Sequence, residues 1–273
     1  MSTRKFAASE VTWVGLDVHR DSITSAVLAP GKETPVVDRW FHDEPSVRRF
    51  MGTLGEPAAI RLCYEAGPTG YDLARLLSRM GAHCEVIAPS LIPVTPGAKI
   101  KTDARDARRL AHLFRAGELT EVHVPSPQEE AIRDLCRTRA DLVIDRTRSR
   151  HRLSKFLLRH GVVYREGVQW TAAYERWLAQ LRFDDAALRQ TFSHYRAIVE
   201  GLDAHVAAVE SDLKCYLETG PFADAVARLS AYRGVTELGA LTLSAEVCDW
   251  RRFPRADLAH GVLRAGALRV LKR

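Results

Sequence analysis

Four carboxylates in three separate segments have the types and spacing for joint chemistry. Asp17 lies in VTWVGLDVHRDSITSAVL, Glu65 ends the apolar run AIRLCYEAG, and Asp103 and Asp106 lie in KTDARDARRLAHLF. Two-metal phosphodiester transfer needs several carboxylates converging on ions roughly 3.5–4 Å apart; one ion activates the attacking oxygen and the other stabilises the leaving one. Hard oxygen donors of this kind suit Mg²⁺ or Mn²⁺. Asp103 and Asp106, three residues apart, share one face of a helix. Gathering four like charges costs stability unless cations offset it. Singly, each acid has a plainer role: Asp17 ends a strand, Glu65 enters the turn Ala66-Gly67-Pro68, and Asp103 and Asp106 suit the N-terminal dipole of a helix. Their coincidence points to a centre for divalent metal and to nucleic-acid cleavage chemistry.

The elements that must position these acids are legible as alternating apolar runs and breakers. Residues 11–17, 23–29 and 36–42 read as three strands, separated by the turn segments HRDS and PGKETP. With no helix between them they form an antiparallel meander. Residues 45–54 read as a helix, 59–65 as a buried strand, 71–80 as a helix stopped at Gly81, and 83–88 as a fifth strand. Asp103–Ala116 reads as a helix ended by Gly117. The order β-β-β-α-β-α-β-α makes a mixed α/β sheet with helices on its faces over residues 1–123. It places Asp17 on a central strand with Glu65 on a parallel neighbour.

The pattern changes beyond residue 124, where strand signals vanish. Residues 128–160 and 183–217 read as two long helices, the second with apolar Leu188, Phe192, Tyr195, Ile198, Val199, Leu202, Val206, Val209 and Leu213 at spacings of three and four. They make an all-α antiparallel arm, residues 124–218. From residue 219 a helix, a turn at Arg233-Gly234-Val235 and a second helix follow, in the manner of hairpins that offer backbone N–H groups to phosphates. Between Arg133 and Arg159 lie nine Lys or Arg: Arg133, Arg137, Arg139, Arg146, Arg148, Arg150, Arg152, Lys155 and Arg159. That density is an electrostatic footprint for nucleic acid, and arginine grips phosphate bidentately. Arg105, Arg108 and Arg109 stand beside the acids of the third segment, placed to hold a phosphate there.

Composition bounds these readings. The chain has 273 residues, 46% apolar and 27% charged, with a net charge of +6; this is a globular composition with a mildly basic balance. The five cysteines, Cys63, Cys84, Cys136, Cys215 and Cys248, form no CxxC pair, which argues for free thiols in a reducing cytoplasm. No apolar run reaches the length of a membrane span, and MSTRKFAASE lacks the apolar core of a signal peptide.

GLDVHRDS, CYEAGPTGYDLARLL, KTDARDARRLAHLFRAGEL, RHRLSKFLLRHG and YRGVTELGALTLSAEVCDWRRF together resemble the DEDD insertion-sequence transposases that include the pilin-gene invertases. The resemblance implies a RuvC-like amino-terminal domain of RNase H fold, whose four metal-binding catalytic acids correspond to Asp17, Glu65, Asp103 and Asp106. It implies a coiled-coil arm and a carboxy-terminal transposase domain over residues 219–273. It further implies a homo-oligomer, a dimer or tetramer, acting on element ends and target DNA with an element-encoded guide RNA, cytoplasmic and associated with the nucleoid. Arg105, Arg109, Arg137, Arg146, Arg148, Arg150, Arg152, Lys155 and Arg159 are the expected nucleic-acid contacts.

The tail departs from that pattern. Where the family continues after Arg-Phe-Pro to a segment like GLVPSEYSSG, whose serine attacks DNA, this chain reads ADLAHGVLRAGALRVLKR. The expectation is a chain truncated by a shifted frame over about residues 256–273, retaining metal and nucleic-acid binding but not transposing. A protein without the serine cannot form the covalent DNA bond, and a non-catalytic remnant that interferes with intact copies is the alternative. Sugar kinases and actin-like ATPases also open on an Asp-bearing strand-turn-strand, but they need a glycine-bearing phosphate hairpin, and His19-Arg20-Asp21-Ser22 has none. The encoding DNA, read one nucleotide out of frame across Gly261–Arg273, is expected to spell ACFGLVPSEYSSG; sequencing that finds no such motif refutes the shift.

Overall fold

The computed structural model describes residues 10–93 and 102–253. They fall into two compact units, Met1–Val124 and Pro125–Arg273. In the first, β1 (Thr12–Val18), β2 (Ser22–Leu28), β3 (Val36–Phe41), β4 (Ile60–Glu65) and β5 (His83–Ile87) form one sheet in the order β3-β2-β1-β4-β5. The first three strands pair antiparallel, and β4 and β5 continue parallel from β1. This is the mixed sheet expected from the element order, with β1 at its centre.

Strand residues alternate between two covered faces. One face presents Val14, Leu16, Ile23, Leu62, Tyr64 and Val86 to α1 (Glu44–Leu54) and α2 (Asp72–Arg79), which contribute Val47, Phe50, Met51, Leu73 and Leu77. Fully buried Tyr64 satisfies its hydroxyl by donating to the Gly70 carbonyl at 3.0 Å. The other face is covered by α3 (Asp103–Ala116). Ala107, Leu110, Ala111 and Phe114, one stripe at helical spacing, are its buried residues. They meet Trp13, Ala26, Leu28, Cys63 and Ile87, and Trp13 sets its ring edge-on to Phe114 at 5.0 Å. Thr102 caps α3 by accepting from the Arg105 N–H, and Gly117, at φ 72°, ends it in the left-handed conformation that favours glycine.

Gly15 permits the closest part of this packing. A Cβ there would stand 2.3 Å from the Ala107 carbonyl oxygen and 2.4 Å from the Ala111 nitrogen. The backbone of α3 therefore lies directly on β1, two residues before Asp17 and on the face that Asp17 shares.

The second unit is all-helical among the described residues. Its α4 (Pro127–Arg159) runs 33 residues, about 50 Å at 1.5 Å per residue. It starts with a capping box, the Ser126 hydroxyl accepting from the Glu129 N–H while Glu129 accepts from the Ser126 N–H. After α5 (Ala172–Gln180), α6 (Ala186–Lys214) returns antiparallel, with Arg139 against Glu210, Arg146 and Arg150 against Asp203, and Phe156 against Tyr195. Along α6, Leu188, Phe192, Tyr195, Val199, Leu202, Val206, Val209 and Leu213 keep a four–three spacing. Ile198, which the sequence places in that series, is 49% exposed instead.

Two apolar clusters hold the unit. Leu153, Phe156, Leu157, Tyr174, Leu178, Phe192 and Val199 close one end, with Trp170 and Trp177 packed around them. Ile132, Cys136 and Leu213 close the other, together with Phe222 and Val226 around α7 (Ala223–Ser230) and Ala240, Leu241 and Ala245 of α8 (Glu237–Val247). The helices after residue 219 thus share a core with the base of the long pair. Gly234, at φ 88°, turns the chain between them. All five cysteines are free, with Cys63 and Cys136 buried. No helix among the described residues is long and apolar enough to cross a membrane.

Gly15→Ala forces α3 off β1 and is expected to destabilise the protein by about 1–3 kcal/mol, the usual cost of overpacking. Urea unfolding with a midpoint equal to wild type would refute the close approach.

Candidate metal centre and nucleic-acid interface

Asp17 stands near the end of the central strand, half-buried, opposite Thr24 of β2, which in turn lies opposite Arg39 of β3. On its other side β4 runs parallel in the register Leu16 to Tyr64, so Glu65 follows alongside Asp17, exposed at the strand end. From above, the packing of α3 at Gly15 brings down the first turn of that helix with Asp103 and Asp106. The tightest group is Asp17, His19 and Asp103, whose donor atoms all lie within 4.8 Å of one another. Asp106 acts on the Asp17 carboxyl from the first turn of α3, and Glu65 occupies the next register position on β4; neither belongs to the tight group. An open recess of about 580 Å³ lined by Thr24, Arg39, Thr102 and Asp103 adjoins the centre.

His19 is a member that the sequence reading passed over. Two residues after Asp17 and one beyond the end of β1, it lies on the continuation of the Asp17 face. Its Nε2 is 3.3 Å from Asp17 Oδ2 and 3.6 Å from Asp103 Oδ1. Its backbone is fixed by the two-residue turn, its N–H donating to Ser22 O at 2.9 Å, and its carbonyl accepts from His42 Nδ1 at 2.8 Å. Arg39 Nη1 reaches Asp103 Oδ2 at 3.6 Å. Strand periodicity was the available signal for His19; the meander register, which sets Arg39 two strands from Asp17, was the signal for Arg39.

The electrostatics match a site short of positive charge. Burial raises the Asp17 carboxyl above the ordinary carboxylate range, the neighbouring charge of His19 opposes that rise, and Asp103 and Asp106 add to it. Carboxylates crowded in this way, with an imidazole among them, are a donor set that fits a divalent cation. The helix dipole assists by favouring negative charge on the first turn of α3.

The basic residues separate into two kinds. Arg137 holds Glu246 through two bonds of 2.8 Å, Arg139 pairs with Glu210 at 2.5 Å, and Arg146 and Arg150 converge on Asp203 at 3.5 and 2.7 Å. Arg150 also lies over the Trp170 ring, 4.8 Å from its centroid, and Arg133 is buried beside Glu130. Arg137, Arg139, Arg146 and Arg150 tie α4 to α8 or α6, while the Glu130 partner of Arg133 lies on α4 itself. In the first unit, Arg109 donates to the Pro93 carbonyl, and Arg105 is exposed on the first turn of α3. Arg148, Arg152, Lys155 and Arg159 are different. All four are exposed, and their four–three–four spacing puts them on one face of α4. Arg148 makes only a surface pair with Asp145 at 3.2 Å, a kind worth little. Arg152, Lys155 and Arg159 make no ion pair among the described residues.

Comparison with known proteins places the chain in a family. A family model for DEDD transposases of IS110, described as "Transposase", matches residues 14–161, a span that contains all four acids and the basic stripe. The chain is 34% identical over 265 residues to the transposase for insertion sequence element IS1533 of Leptospira borgpetersenii, covering 96% of this chain and 77% of that one. It is 37% identical over 254 residues to the y4qE protein of Sinorhizobium fredii, whose name marks it as a candidate transposase, covering 92% of this chain and 62% of that one. The chain therefore belongs to the IS110 family of DEDD transposases.

Proposed function

We propose that the first unit is an RNase H-like (RuvC-like) domain in which Asp17, Glu65, Asp103 and Asp106 hold Mg²⁺ or Mn²⁺ for DNA strand transfer. The observation that carries this reading is the meeting of Asp17 with Asp103 and Asp106, under α3, beside the register position of Glu65. When bound, the metal supplies Lewis-acid stabilisation of charge on phosphate and on the attacking and leaving oxygens. The protein's own residues do the rest. The carboxylates would hold the ion at the end of the central strand, and the β1–α3 contact keeps Asp103 close to Asp17. Arg39, at the rim of the adjoining recess, offers a guanidinium to a phosphate entering there.

In the second unit, α4 and α6 form a coiled-coil arm within residues 124–218, supported by the four–three spacing along α6. Its exposed stripe of Arg148, Arg152, Lys155 and Arg159 contacts the backbone of nucleic acid, DNA of the element ends and target or the guide RNA. Residues 219–273 belong to the carboxy-terminal transposase domain, and the protein works as a homo-oligomer. Ser244 is fully buried in α8 and the Ser230 hydroxyl is buried too, so neither is poised to attack DNA. The shifted frame expected for about residues 256–273 lies outside the described residues.

Millimolar Mn²⁺ or Mg²⁺ is expected to raise the melting temperature of the wild type and to leave that of Asp17→Asn unchanged. In chelator, Asp17→Asn is expected to melt higher than wild type, because one member of a crowded set of like charges is gone. A thermal melt in which the variant still responds to metal would sink the carboxylate assignment.

Replacing Arg152, Lys155 and Arg159 together by Ala is expected to weaken nucleic-acid binding and to lower the slope of log affinity against log salt by about 2–3. Arg137→Ala is expected to lower stability and leave that slope alone. Fluorescence anisotropy across a salt series reads both, and an unchanged slope in the triple variant would refute the stripe.

A further inference from the structure

We propose that His19 is a nitrogen ligand of the metal centre, so that the site takes Mn²⁺ in preference to Mg²⁺. The inference rests on the carboxylate reading above and adds to it a residue and an ion preference. Four acids alone would make an all-oxygen site suited to either ion. An imidazole in the ligand set shifts preference toward transition metals, because Mg²⁺ takes hard oxygen ligands whereas Mn²⁺ belongs to the first-row series that also binds nitrogen.

Position is the first argument. Strand alternation puts His19 on the Asp17 face, and the hairpin turn and His42 pin its backbone from both sides. The ring is thus delivered to the mouth of the centre by fixed main chain rather than by a free loop.

The contact pattern is the second. Nε2 addresses one oxygen of each of two acids that come from different elements, at 3.3 and 3.6 Å. A dedicated ion pair shortens to about 2.7–2.9 Å. Donor atoms about 2.0–2.2 Å from a common ion stand about 2.8–3.1 Å apart at a right angle and about 3.3–3.6 Å apart at a tetrahedral one. His19 therefore keeps the spacing of a fellow ligand to Asp17 and Asp103. The ring is about half exposed, with a side-chain accessibility of 53%, so little packing opposes the small movement that metal entry needs.

The test uses the full-length chain loaded with Mn²⁺, because the ion is its own reporter. Pulsed EPR of the wild type is expected to show coupling from a directly bound nitrogen. Labelling histidine with ¹⁵N should change that coupling, and His19→Gln should remove it. By titration, His19→Gln is expected to lose roughly tenfold or more in Mn²⁺ affinity, a loss that even outer-shell partners of a metal cause, and less than about threefold in Mg²⁺ affinity. Because His19 is exposed, the variant should melt close to wild type in chelator, which separates a binding loss from unfolding. Mn²⁺ that binds wild type, is lost in Asp17→Asn, and shows no nitrogen coupling would overturn the role of His19 and leave the carboxylate centre standing. Equal affinity of wild type and His19→Gln for Mn²⁺ would do the same. Mn²⁺ binding that survives Asp17→Asn unchanged would overturn the carboxylate reading and this inference with it.

Discussion

The first unit depends on the contact between the backbone of α3 and the backbone of β1 at Gly15. Any side chain at that position would meet the Ala107 carbonyl and the Ala111 nitrogen, so the helix can lie flat on the strand only because nothing intervenes. The apolar stripe of Ala107, Leu110, Ala111 and Phe114 supplies the driving force, and the small Ala residues keep the helix low. One turn back along the helix the same geometry carries Asp103 toward Asp17. Burial that stabilises the sheet thus works against the repulsion among carboxylates: the Asp17 carboxyl is raised first by burial, then by Asp103 and Asp106, with His19 opposing.

The second unit resolves its charge differently. Its arginines are numerous, yet the ones nearest the helix–helix seam are consumed by acids of α6 and α8, with Asp203 serving two of them. What is left for a partner is a narrower surface, one turn after another along the distal half of α4. Counting basic residues in a window overstates such a surface, because a cation already fixed to a half-buried carboxylate has traded its availability for packing.

Much of this was legible in the sequence. The three-strand meander follows from turn chemistry at HRDS and PGKETP with no helix between the strands, and the bounds of α3 follow from Thr102 at its start and Gly117 at its end. Asp17 on a central strand with Glu65 on a parallel neighbour also follows from the element order. The partners of the arginines did not, because they depend on which turn of α6 faces which turn of α4, and that register is set by tertiary packing. His19 was missed for the same reason: period two gives its face, but its second neighbour, Asp103, arrives from a distant helix. Ile198 fits the apolar count of α6 and yet faces outward, since the four–three series already fills the buried stripe with Leu202 and Val199. The apolar residues of the helices after residue 219 pack at the base of α4, contacts that sequence spacing alone does not give.

Midway along the long helix pair, between its two apolar clusters, Arg146 and Arg150 meet Asp203 beside buried Ser149. Apolar contacts are non-directional and set the alignment of the two helices less sharply than a charged group does. A carboxylate shared by two guanidiniums sets it sharply, since any slip parts three half-buried charges from one another. This polar midpoint acts as a vernier mark: it contributes little to the strength of the pair, and it leaves a single alignment in which the tip and the base of the arm are both in step.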